Sequence, residues 1–234
     1  PLYIFSDLKY LDSTDLVNVE QKRFLKSAFD LEKDNFGFFP DKNGSLAGAI
    51  IIIRALKEPK KSIIDQAAKL SKKLPNKKWK TNFVSKFEDN DKYNFFLGWG
   101  LSSYNFSIEG KKENLTKSRT LCSNQAKNVI SKVLLEKCFA EIRGIFLTRD
   151  LINLPPNILT PYNYEKIIKN SLKEFSPKIT SYKDKQLEKN FPLINIVGRS
   201  SENKPTLIDM QWSKNKKNKF PNIILIGKCV TYDS

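Results

Sequence analysis

Between residues 119 and 153 apolar side chains recur every three or four positions, at Leu121, Ala126, Val129, Ile130, Val133, Leu134, Phe139, Ile142, Ile145 and Phe146. Such spacing lines one face of a helix and predicts a single long helix over 119–153. Pro155-Pro156 must end it, because the residue before a proline is pushed out of the α region and proline has no N–H to donate. A fresh helix is expected at Thr160-Pro161, where a threonine N-cap precedes proline at the first helical position.

Around this helix the chain reads as α/β. On the N-terminal side, Ala47–Leu56 (AGAIIIIRAL) has the character of a buried strand, and Lys61–Leu74 places Ile63, Ile64, Ala67, Ala68 and Leu70 near one helical face. Tyr93–Phe106 (YNFFLGWGLSSYNF) carries Gly98 and Gly100 two apart, but no third glycine or strand-turn-helix unit accompanies them, so a core helix is expected rather than a phosphate loop. The polar stretch Glu109–Ser118 reads as a loop near a domain boundary. Past Pro161, strand-like runs occur at Leu193–Val197, Thr206–Met210 and Asn222–Ile226. The expected organisation is an N-terminal α/β domain over 1–117, a connecting helix over 118–153, and the beginning of a second α/β domain over 154–234.

Composition excludes several chemistries. The chain has no His, which removes Ser-His and Cys-His dyads and His-ligated zinc within these residues. Its 3 Cys, at 122, 138 and 229, form neither a disulfide framework nor a paired-cysteine metal pattern, so a reducing cytoplasm is expected. The longest apolar stretch, Ala47–Ile53, is far short of the ~20 residues a membrane span requires, and no secretory signal is visible. A first residue that is Pro rather than Met suggests an incomplete start. The net charge of +16 raises the question of a nucleic-acid partner. Only 6 of the 41 basic residues are Arg, the side chain that reads bases and phosphates bidentately, so a solvated lysine-rich surface is favoured over a nucleic-acid-binding module.

Two segments hold candidate chemistry. Thr148–Pro161 (TRDLINLPPNILTP) is accounted for by the proline rules alone. Ile223–Ser234 (IILIGKCVTYDS) runs an apolar strand into Gly227, Lys228 and Asp233, and ligands in open α/β sheets bind beyond such strand ends, although Lys and Asp are also ordinary loop residues there.

In these same residues the chain resembles the leucine aminopeptidase (cytosol aminopeptidase) family. TRDLINLPPNILTP is similar to the segment that opens that family's catalytic domain, and GKCVTYDS to its metal-binding segment Gly-Lys-Gly-Ile-Thr-Phe-Asp-Ser-Gly-Gly. IVGRSSENKPTLIDMQW and FFLGWGLSSYNF resemble two further stretches in the same order. The resemblance is specific from about residue 94 onward.

It implies a macro-like first domain and a truncated metallopeptidase catalytic domain. It also implies a two-metal aminopeptidase that removes N-terminal residues from peptides, acting in the cytoplasm as a homohexamer. Lys228 is then a metal ligand through its neutral amine, and Asp233 a carboxylate bridging two divalent cations, with zinc or manganese expected and magnesium admissible. Further acidic ligands and the catalytic residues are expected beyond Ser234, so the chain reads as an N-terminal fragment that is inactive alone. Three departures stand out: Cys229 at a family glycine, Tyr232 for Phe, and Asn190-Phe191-Pro192 for a glycine-rich run.

Overall fold

Five strands, Leu2–Phe5 (β1), Phe36–Pro40 (β2), Leu46–Ile52 (β3), Lys78–Phe83 (β4) and Thr120–Ser123 (β5), form one sheet in the order β2-β3-β1-β4-β5. The computed structural model describes residues 1–54, 62–108, 119–123, 130–213 and 221–229, and it divides into two compact units, Pro1–Thr148 and Arg149–Ser234. In the first unit β1 pairs in parallel with both β3 and β4, β4 in parallel with β5, and β2 antiparallel with β3. Parallel strands covered on both faces read as continuous apolar runs, and Ala49–Ile53 are all buried, as the sequence predicts for this stretch.

Helices Lys9–Ser13 (α1), Val19–Ala28 (α2) and Leu31–Asp34 (α3) contribute Leu11, Leu25 and Leu31 to one core cluster with Phe5, Phe39, Ile50 and Ile52. Ile63–Lys73 (α4) and Asp89–Leu101 (α5) contribute to a second, in which Ala67, Leu70, Phe95 and Trp99 meet Leu2, Ile4, Ile51, Trp79 and Phe83. Each fully buried large side chain contributes roughly 1.5–3 kcal/mol through the apolar area it removes from water. Local signals agree with these ends: Ser62 Oγ accepts from the Asp65 N–H at 3.1 Å to start α4, and Asn18 and Gln21 form a reciprocal capping box on α2. The glycine-bearing aromatic stretch is helical through Leu101, with Gly98 packed directly against the backbone of Ile64.

The long helix (α6) runs Lys132–Asn153 and not from residue 119, because Thr120–Ser123 instead take the edge of the sheet beside Lys78–Thr81. Leu121 suits either role, since it packs against the core of the sheet as it would against the core side of a helix. The loop expected at Glu109–Ser118 lies outside the described residues. Tyr93 and Leu97 of α5 form a buried cluster with Cys138 and Ile142 of α6 and with Ile130 just before it. Within it the Tyr93 hydroxyl donates to Glu141, which, with burial, pushes the phenol up to about 12, while burial foremost pushes the Cys138 thiol up to about 11. Among the described residues no helix is long and apolar enough to cross a membrane.

The second unit holds Pro161–Ser171 (α7), a 3₁₀ turn at Lys173–Phe175, Lys178–Tyr182 (β6), Asp184–Asn190 (α8), Pro192–Gly198 (α9) and Leu207–Gln211 (β7). β6 and β7 pair antiparallel, with Thr180 opposite Asp209. The run at Thr206–Met210 is a strand as expected. Leu193–Val197 is helical: Pro192 sits at the first helical position, and a short apolar run fits a helix as well as a strand. Asn222–Ile226 pairs with no described strand, and Ile223 to Ile226 are 81–94% exposed.

Candidate functional site

The segment that ends α6 and starts α7 folds as its prolines require. The Leu154 N–H donates to the Asp150 carbonyl at 3.0 Å, which closes the last turn. The Pro155 carbonyl then accepts from both Ile158 and Leu159 N–H at 2.9 Å, a tight turn that buries Leu159. Thr160, with an extended backbone, accepts the Asn163 N–H on Oγ1 at 3.2 Å, and Asn163 Nδ2 returns a bond to the Ile158 carbonyl at 2.7 Å. The turn and the helix start are therefore locked together, as expected for a threonine cap followed by proline. Thr160→Ala should cost about 1 kcal/mol, read as faster amide exchange at Asn163 and Tyr164 than in α4 of the same molecule.

One turn further along α7, Glu165 is buried to 5% exposure and gathers three side chains. Its Oε1 accepts from Lys169 Nζ at 2.6 Å and from Ser181 Oγ at 2.7 Å, and its Oε2 is ion-paired with Lys183 Nζ. Burial alone would raise the carboxyl; the hydrogen bonds from Lys169, Lys183 and Ser181, with the charge of Lys183, outweigh it and lower the group from its ordinary 4.5 to about 2. This carboxylate ties α7 to β6 and to the residue just after it. Sequence reading did not single it out; the only local signal is the Glu165–Lys169 spacing of four on a helix.

The two residues implied as metal ligands stand differently. Lys228 is exposed in a segment without regular secondary structure, directly after the apolar run Ile223–Ile226. Asp233 lies outside the described residues. Cys229, in the position of a family glycine, is exposed, and its charge adds to burial in pushing the Tyr164 phenol on α7 upward. Among the described residues no three His, Cys, Asp or Glu side chains gather where a metal ion could be held. A catalytic dication takes four or more donors, so the donors described here do not fit two bound metals by themselves.

Comparison with known proteins places these residues. Residues 146–234 match the model of the cytosol aminopeptidase family, catalytic domain, a match that takes in the proline turn, α7, Glu165 and Lys228. A curated protein from Corynebacterium glutamicum named "probable cytosol aminopeptidase" is 30% identical over 139 residues, which are 58% of this chain and 27% of that protein. The chain therefore spans about a quarter of the length of this relative. Among solved structures, a cytosol aminopeptidase from Coxiella burnetii superposes with a TM-score of 0.72 at 24% identity, over 92% of this chain and 45% of that one. The bottromycin maturation enzyme BotP, in complex with Mn, superposes with a TM-score of 0.65 at 14% identity, over 89% of this chain and 44% of its own. The α/β fold is thus that of solved aminopeptidase structures, and residues 146–234 are similar in sequence to the catalytic domain of the cytosol aminopeptidase family.

Proposed function

We propose that the whole protein to which these residues belong is a cytoplasmic, metal-dependent aminopeptidase of the leucyl type, which releases N-terminal residues from peptides and assembles as a homohexamer. The observation that carries this reading is the catalytic-domain match over 146–234, because it spans GKCVTYDS with Lys228 and Asp233. The manganese held by BotP, a structure of the same fold, supports a divalent cation as the cofactor. Lys228 is assigned as a nitrogen ligand and Asp233 as a bridging carboxylate, with zinc or manganese, or else magnesium, as the two ions. The metals, when bound, supply Lewis acidity and a water nucleophile at neutral pH. What this chain's own residues contribute is placement: the capped turn at 154–163 and the Glu165 cluster fix α7.

Among the described residues no cluster of donors could hold two ions. The purified 234-residue chain, incubated with leucyl amide and excess manganese or zinc, should give no turnover above a metal-free control and no binding of two ions in calorimetry. The whole protein should hydrolyse the same substrate only with metal present, and Asp233→Ala should lower its kcat/KM by a factor of about 10³ or more, the scale of losing a group that positions both cations. A whole protein that binds two manganese ions and releases no residue from leucyl amide or a leucyl dipeptide would overturn the assignment. So would metal-dependent turnover by the 234-residue chain that disappears in Asp233→Ala.

A further inference from the structure

Between Gln66 and Phe87 the chain carries seven lysines and no Asp or Glu, although acidic residues fill 25 of its 234 positions. Six of the seven, Lys69, Lys72, Lys73, Lys77, Lys78 and Lys80, run from the last turns of α4 through the connecting turn into the first half of β4. Lys72 and Lys73 have an ordinary role there, since cations offset the negative end of a helix. The other four have none. Among the described residues none of the six is ion-paired. They also sit on both sides of one end of the sheet: Trp79 and Phe83 are buried with α4 and α5, while Lys78 and Lys80 alternate onto the opposite, exposed face, about 7 Å apart. β5 adds no acid beside them, because Thr120 stands opposite Lys78 and Cys122 opposite Lys80. Arg119 donates its Nε–H to the Leu74 carbonyl, which takes up part of its guanidinium fork.

These features select among anions. Carboxylates are matched best by a free Arg fork, whereas Lys acts on phosphate as a point charge. Bases stack on bare aromatic rings, and the two rings at this corner lie under ammonium groups, Phe36 under Lys73 and Trp79 under Lys77, each at 4.3 Å. A flat lipid surface can meet only one side of a sheet end, so cations on both sides call for a flexible chain that bends round it. We propose that the α4–β4 corner is a docking surface for linear inorganic polyphosphate, a chain of phosphates without bases, held by these six ammonium groups. Such a chain carries more charge per unit length than a nucleic-acid strand and releases more counterions over the same corner. The inference goes beyond the peptidase reading and does not depend on it, since a chain without hydrolytic activity would show it equally.

An end-labelled polyphosphate of about 45 phosphates, followed by fluorescence anisotropy with the purified 234-residue chain, should bind with micromolar Kd at about 50 mM salt and at least about a hundredfold more weakly at about 200 mM. An oligothymidylate and a polyglutamate of the same number of charges should each bind at least about tenfold more weakly than polyphosphate. K77Q/K78Q/K80Q removes three of the contacts and should raise Kd at least about tenfold, and K69Q/K72Q, on α4, at least about threefold. K173Q/K185Q/K189Q makes the same change in net charge among exposed lysines of the Arg149–Ser234 unit and should leave Kd within about twofold. Circular dichroism and thermal midpoints serve as folding controls, and because the two corner variants are independent, one that fails to fold leaves the other to decide. Absence of binding at about 50 mM salt overturns the proposal. So does an oligothymidylate or a polyglutamate that binds as tightly as polyphosphate, and so does a K173Q/K185Q/K189Q chain weakened as much as K77Q/K78Q/K80Q.

Discussion

Replacing Glu165 with glutamine should cost the Arg149–Ser234 unit about 2–3 kcal/mol at neutral pH and remove most of that unit's sensitivity to acid. The carboxylate is buried, accepts from Lys169 and Ser181, and pairs with Lys183. Taking away its charge leaves two ammonium groups without their counter-ion, although both lysines are 37–48% exposed and regain water, which keeps the loss below that of a fully enclosed pair. The pH dependence follows from the direction of the shift. The folded carboxyl is lowered to about 2 from 4.5, so its contribution is fully present above 4.5 and is lost as pH falls from 4.5 toward 2. Amide exchange in β6, measured against β1 of the same molecule, should accelerate over that interval in the parent chain and change little in Glu165→Gln. Equal acid sensitivity in the two proteins would mean that the cluster does not hold the unit together.

A larger loss is expected from a single added methyl at Gly98. The Cβ of an alanine there would stand 2.1 Å from the Ile64 carbonyl oxygen and 2.7 Å from the Ile64 Cα, both backbone atoms of α4, so α4 and α5 would have to separate along their contact. Alanine gains about 1 kcal/mol over glycine in helix propensity, but parting two helices that share Ala67, Leu70, Phe95 and Trp99 outweighs it. We expect a net loss of about 3 kcal/mol or more, at the upper end of overpacking effects. Gly100→Ala makes the informative comparison. Its nearest clash, at 2.2 Å, is Cδ1 of Ile142, the end of a side chain that can change rotamer, so the net cost should be near 1 kcal/mol or less. Urea denaturation of both variants gives the test, and equal midpoints would contradict the distinction between a backbone and a side-chain obstacle.

Sequence pattern and structure agree where one physical cause dominates. The unbroken run at 47–53, with the character of a buried strand, is a strand covered on both faces, and Thr160-Pro161 announced a helix start that the Asn163 N–H bond to the threonine hydroxyl completes. They part where two elements ask for the same side chains. TLCS at 120–123 continues the helical spacing of the residues after it, yet its main chain is taken by β4, a partner forty residues earlier that no local pattern records. LINIV at 193–197 is too short for periodicity to choose, and Pro192 decides it. The candidate site divides in the same way. Motif resemblance singled out Lys228, whereas the Glu165 cluster draws on Ser181 and Lys183, residues 16 and 18 positions away that meet it only once β6 is in place.

The strand order of the first unit has a consequence for synthesis on the ribosome. β1 lies at the centre of the sheet, yet its partners are β3, which begins at Leu46, and β4, which ends at Phe83. Leu2, Ile4 and Phe5, each wholly buried in the finished unit, therefore leave the exit tunnel long before anything exists to cover them. At about 5–20 residues per second, some 80 residues of elongation leave that strand uncovered for roughly 4–16 s, far longer than the microseconds in which a hairpin closes. The nascent chain thus presents an uncovered apolar segment, and slowing translation of the stretch that encodes residues 6–83 should lower the yield of soluble protein more than slowing it past residue 123.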